Sequence, residues 1–140
     1  MGDVQRKRAK HVRGRRAAAA VEFAFVAPVF IVLFVGMAEV GRGIMVQHIL
    51  ESAAREGARE ATLSDAATST VEAAVSNYLA NSSVSGTTVS VSPDPPSNAA
   101  SRQPVTVTVS VPVSNMAWIG TFRFFSNSDQ ISATASMRRE

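Results

Sequence analysis

The chain has 140 residues, 46% of them hydrophobic, a formal net charge of +3 and no cysteine. That length allows one domain of modest core, and the lack of thiols excludes disulfide stapling, thiolate metal sites and cysteine catalysis. The net charge averages two unequal parts: residues 1–16 hold seven of the 14 Lys and Arg and one of the 11 acids, for +6, and residues 17–140 hold seven bases and ten acids, for −3.

In chain order, Met1 to Arg16 has no hydrophobic periodicity and reads as a disordered, charge-rich leader. A basic arm for nucleic acid is the competing reading. It is disfavoured because the arm has no interleaved aromatics and abuts an apolar span, so anionic lipid headgroups are the expected partner and nucleic acid is not. Next comes Ala17 to Ala38, with one charge (Glu22) and one proline (Pro28). Its 22 residues would reach ~33 Å as a helix, enough for a bilayer core of ~30 Å. It is too long for the apolar part of a cleavable secretory signal, and its small residues (Ala17 to Ala20) precede the apolar run instead of following it. Basic residues before the span and a net acidic chain after it place the N-terminus in the cytoplasm and the remainder outside, as a single-pass membrane protein.

The helix is expected to continue to Leu63. Ile44, Met45, Ile49, Leu50, Ala53, Ala54, Ala58 and Ala61 recur at helical spacing, while Arg42, Glu51, Arg55, Glu56, Arg59 and Glu60 fill the other face. Glu51 and Arg55 are an attractive i,i+4 pair, whereas Glu56–Glu60 and Arg55–Arg59 are repulsive. Ser64 or Asp65 can cap a second helix ending near Ala80. Period two follows. Thr88 to Val91 alternates, Val105 to Val113 puts five valines on one face, and Ile131, Ala133, Ala135 and Met137 alternate with small polar residues. Pro112 marks an edge or a strand terminus. The expected fold class is α+β: a long N-terminal transmembrane and amphipathic helix, plus a second helix packed on a small antiparallel sheet. The parts are a basic leader at 1–17, a transmembrane helix at 18–38, its amphipathic continuation at 39–63 and an exported α+β domain at 64–140. A valine face completed by a partner strand would make the isolated domain dimerise or aggregate. The connector cluster from Trp118 to Phe125 is expected in the core, with a partner-facing surface as the alternative.

Glu22 is the residue that most needs a reason, because a carboxylate within a membrane helix costs about 2.5–3.5 kcal/mol on insertion scales. Position near the interface, within reach of Arg15 or Arg16, is one explanation. The surrounding pattern gives another. R-R-A-A-A-A-V-E-F-A-F-V-A-P-V-F, from Arg15, resembles the N-terminus of type IV pilin-like proteins, specifically the TadE-like pseudopilins of the tight-adherence (Flp-type) pilus. S-A-A-R-E-G-A-R, Ser52 to Arg59, and the ending S-A-T-A-S-M-R-R-E are similar to later stretches of that family. The resemblance implies a prepilin-peptidase cut between Ala17 and Ala18, with Glu22 at +5 and Phe23 as the aromatic at +6. It departs at −1, where the family usually has Gly. Gly14 cannot substitute, since it would put Glu22 at +8. The resemblance also implies that Glu22 neutralises the new α-amine of a neighbouring subunit and sets register. Pro28 and Gly36 are candidates for helix packing in the anchor.

By resemblance, then, the chain is a minor pilin or pseudopilin supporting Flp-type pilus assembly. Its partners would be the prepilin peptidase, sibling pilins, the inner-membrane platform with its secretion ATPase, and the lipid bilayer. An unprocessed membrane-anchored accessory protein of a secretion complex is the alternative. An enzyme is not expected: His11 and His48 fall on opposite sides of the membrane, and no nucleophile motif, phosphate loop or paired-acid motif occurs. Neither a metal nor a cofactor is expected, and the D-P-P loop at Asp94 lacks calcium-ligand spacing.

Overall fold

The computed structural model describes residues 2–115 and 130–139, with side chains described from residue 17 onward. The aromatic connector, including Trp118, Phe122, Phe124 and Phe125, lies outside the described residues. In chain order the elements are α1 (Gly2–Ala61), α2 (Thr68–Leu79), β1 (Thr88–Ser92), β2 (Pro104–Pro112) and β3 (Gln130–Arg138). Short 3-10 turns occupy Pro96–Asn98 and Val113–Asn115. The fold is α+β, as expected. The helix starts earlier than the hydrophobic pattern suggests, at Gly2. The leader is rich in Arg and Lys, which favour helix intrinsically, and α1 contains no proline before Pro28.

The chain divides into two compact units, Met1–Val40 and Gly41–Glu140. The first is a single stretch of α1. The second has three antiparallel strands in the order β1-β2-β3. Val107 of β2 lies opposite both Val91 of β1 and Ala135 of β3, and Val109 opposite both Val89 and Ala133. Residues opposite one another share a face, so the valines, alanines, Ile131 and Met137 form one apolar surface. Val105, Val107, Val109 and Val111 are fully buried. The other surface carries hydroxyls, with Thr108 and Thr134 hydrogen-bonded at 3.0 Å. β2 is the central strand, and Pro112 is its last residue, paired with Gln130. Its ring therefore marks a terminus, not an edge.

The valine face is covered within the chain. Ala53, Ala54, Ala58 and Ala61 of α1, and Val71 and Val75 of α2, are completely inaccessible and join it in one core. The partner strand considered from sequence is not needed to close it. Gly57 shows how tightly the layers meet. A Cβ built there would lie 2.7 Å from Val75 Cγ2, 3.2 Å from Val107 Cγ1 and 3.5 Å from Val71 Cγ1. Helix, helix and sheet converge at a point with no room for a methyl group.

Between the helices, Ala66 is buried, and this sets the turn. Ser64 and Asp65 remain outside helix, and α2 begins at Thr68 with Ala67 as its extended N-cap. Alanine has no capping oxygen; instead the Thr70 hydroxyl accepts a hydrogen bond from the Ala67 N–H at 3.2 Å. This is the return half of a capping box, with its forward half missing. Gly86 after α2 has φ +72, a left-handed turn conformation that glycine adopts without strain.

The Gly57 geometry predicts that Gly57→Ala will lower stability by about 1–3 kcal/mol through overpacking against two stiff valines. Gly43→Ala is the control: a Cβ there meets nothing within 4 Å, and stability should rise by up to about 1 kcal/mol from helix propensity. Denaturant titration of the full chain in detergent, followed by circular dichroism, measures both.

Candidate functional site

The residues singled out in the anchor all lie on α1. Ala17, Ala18, Glu22 and Phe23 are exposed, Phe23 at 72%. Ala18 and Glu22 are four residues apart, hence on one helix face and separated by ~6 Å along the axis. Gly36 is 18 residues beyond Ala18, five full turns at ~3.6 residues per turn, and returns to that face. A Cβ at Gly36 would meet nothing within 4 Å. Pro28 lies inside the helix and removes one backbone donor, leaving the Ala24 carbonyl without its usual partner. Around these positions the large apolar side chains point outward, with Phe25 at 77% and Phe34 at 76% exposed. Among the described residues this is the one helix long and apolar enough to cross a membrane. Glu22 is the single charge between Ala17 and Ala38.

The family model for TadE-like protein matches residues 17–59, from the alanine before the expected cut to Arg59 in the last turn of α1. Residues 17–59 are similar to that family. The family belongs to the tight-adherence pilus system and is one of pilus components, not of enzymes. No curated protein and no solved structure matches the chain.

The TadE-like segment has two different surfaces. Its first part exposes large aliphatic and aromatic side chains. Its second part, Ser52 to Arg59, places Ala53, Ala54, Gly57 and Ala58 in the core of the 41–140 unit. The charges of that second part face solvent. Arg59 pairs with Glu56 at 2.8 Å, one turn apart, and Arg55 approaches Glu51 at 3.9 Å. Hydrogen bonding from Arg59 holds the Glu56 carboxyl below its ordinary range, and Glu56 raises Arg59 in turn. The i,i+3 pair thus offsets the like-charge spacings Glu56–Glu60 and Arg55–Arg59.

Beyond the family match, one residue organises the end of the domain. The Arg139 guanidinium donates through one nitrogen to the carbonyls of Ser97 (2.6 Å) and Ala99 (2.8 Å), and through the other to that of Ser64. Its backbone completes the tie: Arg139 N–H donates to the Gln103 carbonyl, and its own carbonyl accepts from Arg102 N–H at 2.8 Å. One side chain therefore joins β3, the turn before α2 and the loop between β1 and β2. Local sequence gives no signal for this, since the three carbonyls lie 40 to 75 residues away.

Asp94, in the D-P-P loop, accepts a hydrogen bond from the hydroxyl of Thr68 at the start of α2, where a carboxylate suits the helix dipole. Among the described residues no three His, Cys, Asp or Glu side chains converge as metal ligands. His48 is exposed and lies 3.9 Å from Glu51. Truncating the Arg139 clamp while keeping its length, Arg139→Met, is predicted to cost about 1–3 kcal/mol, because three carbonyls lose a charged donor. Arg138→Met, at an exposed neighbouring position, should change stability by less than about 0.5 kcal/mol in the same unfolding assay.

Proposed function

We propose that this chain is a minor pilin or pseudopilin supporting assembly of a Flp-type (Tad) pilus, and that it has no catalytic role. The observation that carries this reading is the TadE-like match over residues 17–59, a span that contains the Ala17–Ala18 bond, Glu22 and the whole apolar stretch. The chain is anchored in the inner membrane, with residues 1–17 cytoplasmic and the domain beyond the anchor exported. The +6 charge before the span and −3 after it support that orientation. A prepilin peptidase removes Met1 to Ala17. Ala18 then presents a cationic amine within the bilayer edge, and Glu22 of a neighbouring subunit neutralises it. Each charge relieves the other's desolvation cost, which fixes axial register between helices. Phe23, Pro28 and Gly36 shape the packing around that contact. The inner-membrane platform and its secretion ATPase, together with sibling pilins, are the assembly partners, and the exported domain provides partner specificity.

A second reading has one observation in its favour: Ala17 stands where glycine is usual at −1. On that reading the leader is retained and the chain is a membrane-anchored accessory protein of the secretion complex.

Intact mass and N-terminal sequencing of protein from its own membranes separate the two. The expected mature start is Ala18; a chain beginning at Met1 or Gly2 selects the accessory role. Under the processed reading, Glu22→Ala should leave membrane levels unchanged and reduce filament assembly by about tenfold, the effect of losing ~1.4 kcal/mol of register energy. Sheared-filament yield relative to membrane-bound protein measures this. Undiminished filaments from the variant would remove Glu22 from the mechanism.

A further inference from the structure

The Arg139 clamp forms one wall of an open cleft of about 590 Å³, lined by Arg59, Thr62, Leu63, Ser64, Ser101 and Arg139. Among the described residues the lining contains two guanidinium groups, three hydroxyls and no carboxylate. Its volume falls in the range of about 300–1,000 Å³ typical of ligand sites. Arginine has five N–H donors. Arg139 directs three of them to the carbonyls of Ser97, Ala99 and Ser64, and Arg59 directs two to Glu56. Counted against the described residues, two donors on a side chain fixed in place, and three on its neighbour, are left for a ligand.

Two further features define what would fit. The last carbonyls of α1 carry the negative end of the helix dipole, which would oppose an anion if left open. Two of them are engaged: the Arg59 carbonyl accepts from the Thr62 hydroxyl at 2.7 Å and from its N–H, and the Glu60 carbonyl accepts from Leu63 N–H. Leu63 is 53% exposed at the rim, an apolar contact beside the charged floor. The Arg59–Glu56 pair is at the surface, and an exposed pair of this kind holds its partners weakly. Arg59 can therefore turn to an incoming carboxylate.

We propose that this cleft binds an acidic peptide segment of a partner protein, one whose carboxylates bridge Arg59 and Arg139 while an adjacent apolar side chain rests on Leu63. Charge complementarity argues for this occupant: the described lining residues are cationic or neutral, and planar guanidinium forks match carboxylates in two-point geometry. The proposal does not depend on leader processing or on Glu22.

The test is fluorescence anisotropy with the full chain in neutral detergent and a labelled peptide of alternating Leu and Glu. A matched Leu–Gln peptide and labelled glutamate alone serve as comparisons. The Leu–Glu peptide should bind with an affinity that weakens as salt rises. Arg59→Gln should weaken it about fivefold or more, the loss of roughly one charged contact. Arg55→Gln, which alters the neighbouring pair with Glu51, should leave it unchanged. Failure of the peptide to bind at low salt would overturn the proposal. So would equal binding by the Arg59→Gln protein, or equal binding of the Leu–Gln peptide. Binding of free glutamate as tight as that of the peptide would replace the peptide with a small acid as the occupant and overturn the partner-protein assignment.

Discussion

Everything in the 41–140 unit depends on how closely α1 can approach the sheet, and Gly57 sets that distance. Around it the helix offers only small side chains: Ala53, Ala54, Ala58 and Ala61 are all fully buried. Such a helix brings little apolar area of its own. It gains stability by letting Val71 and Val75 of α2 and the β2 valines close over it at van der Waals distance. Dispersion contacts are individually small and fall off steeply with separation, so a gap of even 1 Å at this point would forfeit a large share of them. That explains how a domain without cysteine and with a modest core holds three layers together.

The same constraint gives meaning to part of the TadE-like segment. S-A-A-R-E-G-A-R reads from sequence as a helix of alternating charges with small residues between them. In the structure the small residues are the inward face, and the charges are what remains outside. The motif is a description of one helix side that must touch valines and another that must stay wet. Glu56 and Arg59 meet at i,i+3 on the wet side, a pairing hidden by their own i,i+4 spacings, Glu56–Glu60 and Arg55–Arg59, which taken alone predict repulsion.

The strands were the most legible part of the fold. V-T-V-T-V-S-V-P-V has a period that no helix can use, and the observed β2, Pro104–Pro112, begins and ends one residue before the expected strand. β3 was equally readable because Ile131, Ala133, Ala135 and Met137 keep the same alternation. Elements set by tertiary contacts were read less well. Ser64 and Asp65 are good capping residues, yet α2 starts at Thr68, because burial of Ala66 outweighs a local cap of about 1 kcal/mol. The leader helix is not legible from periodicity, because a sequence dominated by Arg and Lys has no regular apolar spacing to read. Arg139 was unreadable for a different reason. Its partners are carbonyls, which have no sequence identity, and it meets them only after β3 has paired with β2.

Side-chain size along α1 carries the last step. Between Phe23 and Val40 the exposed residues are large: Phe25, Phe30, Phe34 and Met37 each leave well over half their surface open. Between Val46 and Ala61 the buried residues, beyond Val46 and Leu50, are alanine, together with Gly57. A soluble helix places its large apolar residues inward and its small ones wherever they fit. α1 reverses this over its first part, which is the arrangement suited to lipid or to other helices around it. A helix surrounded by hydrocarbon gains nothing from hiding phenylalanine, but it cannot leave a carboxylate such as Glu22 without a counter-charge. In the proposed assembly the apolar side chains of the anchor are therefore permissive about their neighbours, while its single acid is selective. Within the proposed assembly, lipid-facing bulk keeps the chain in the membrane, and one ionic contact decides where it stops.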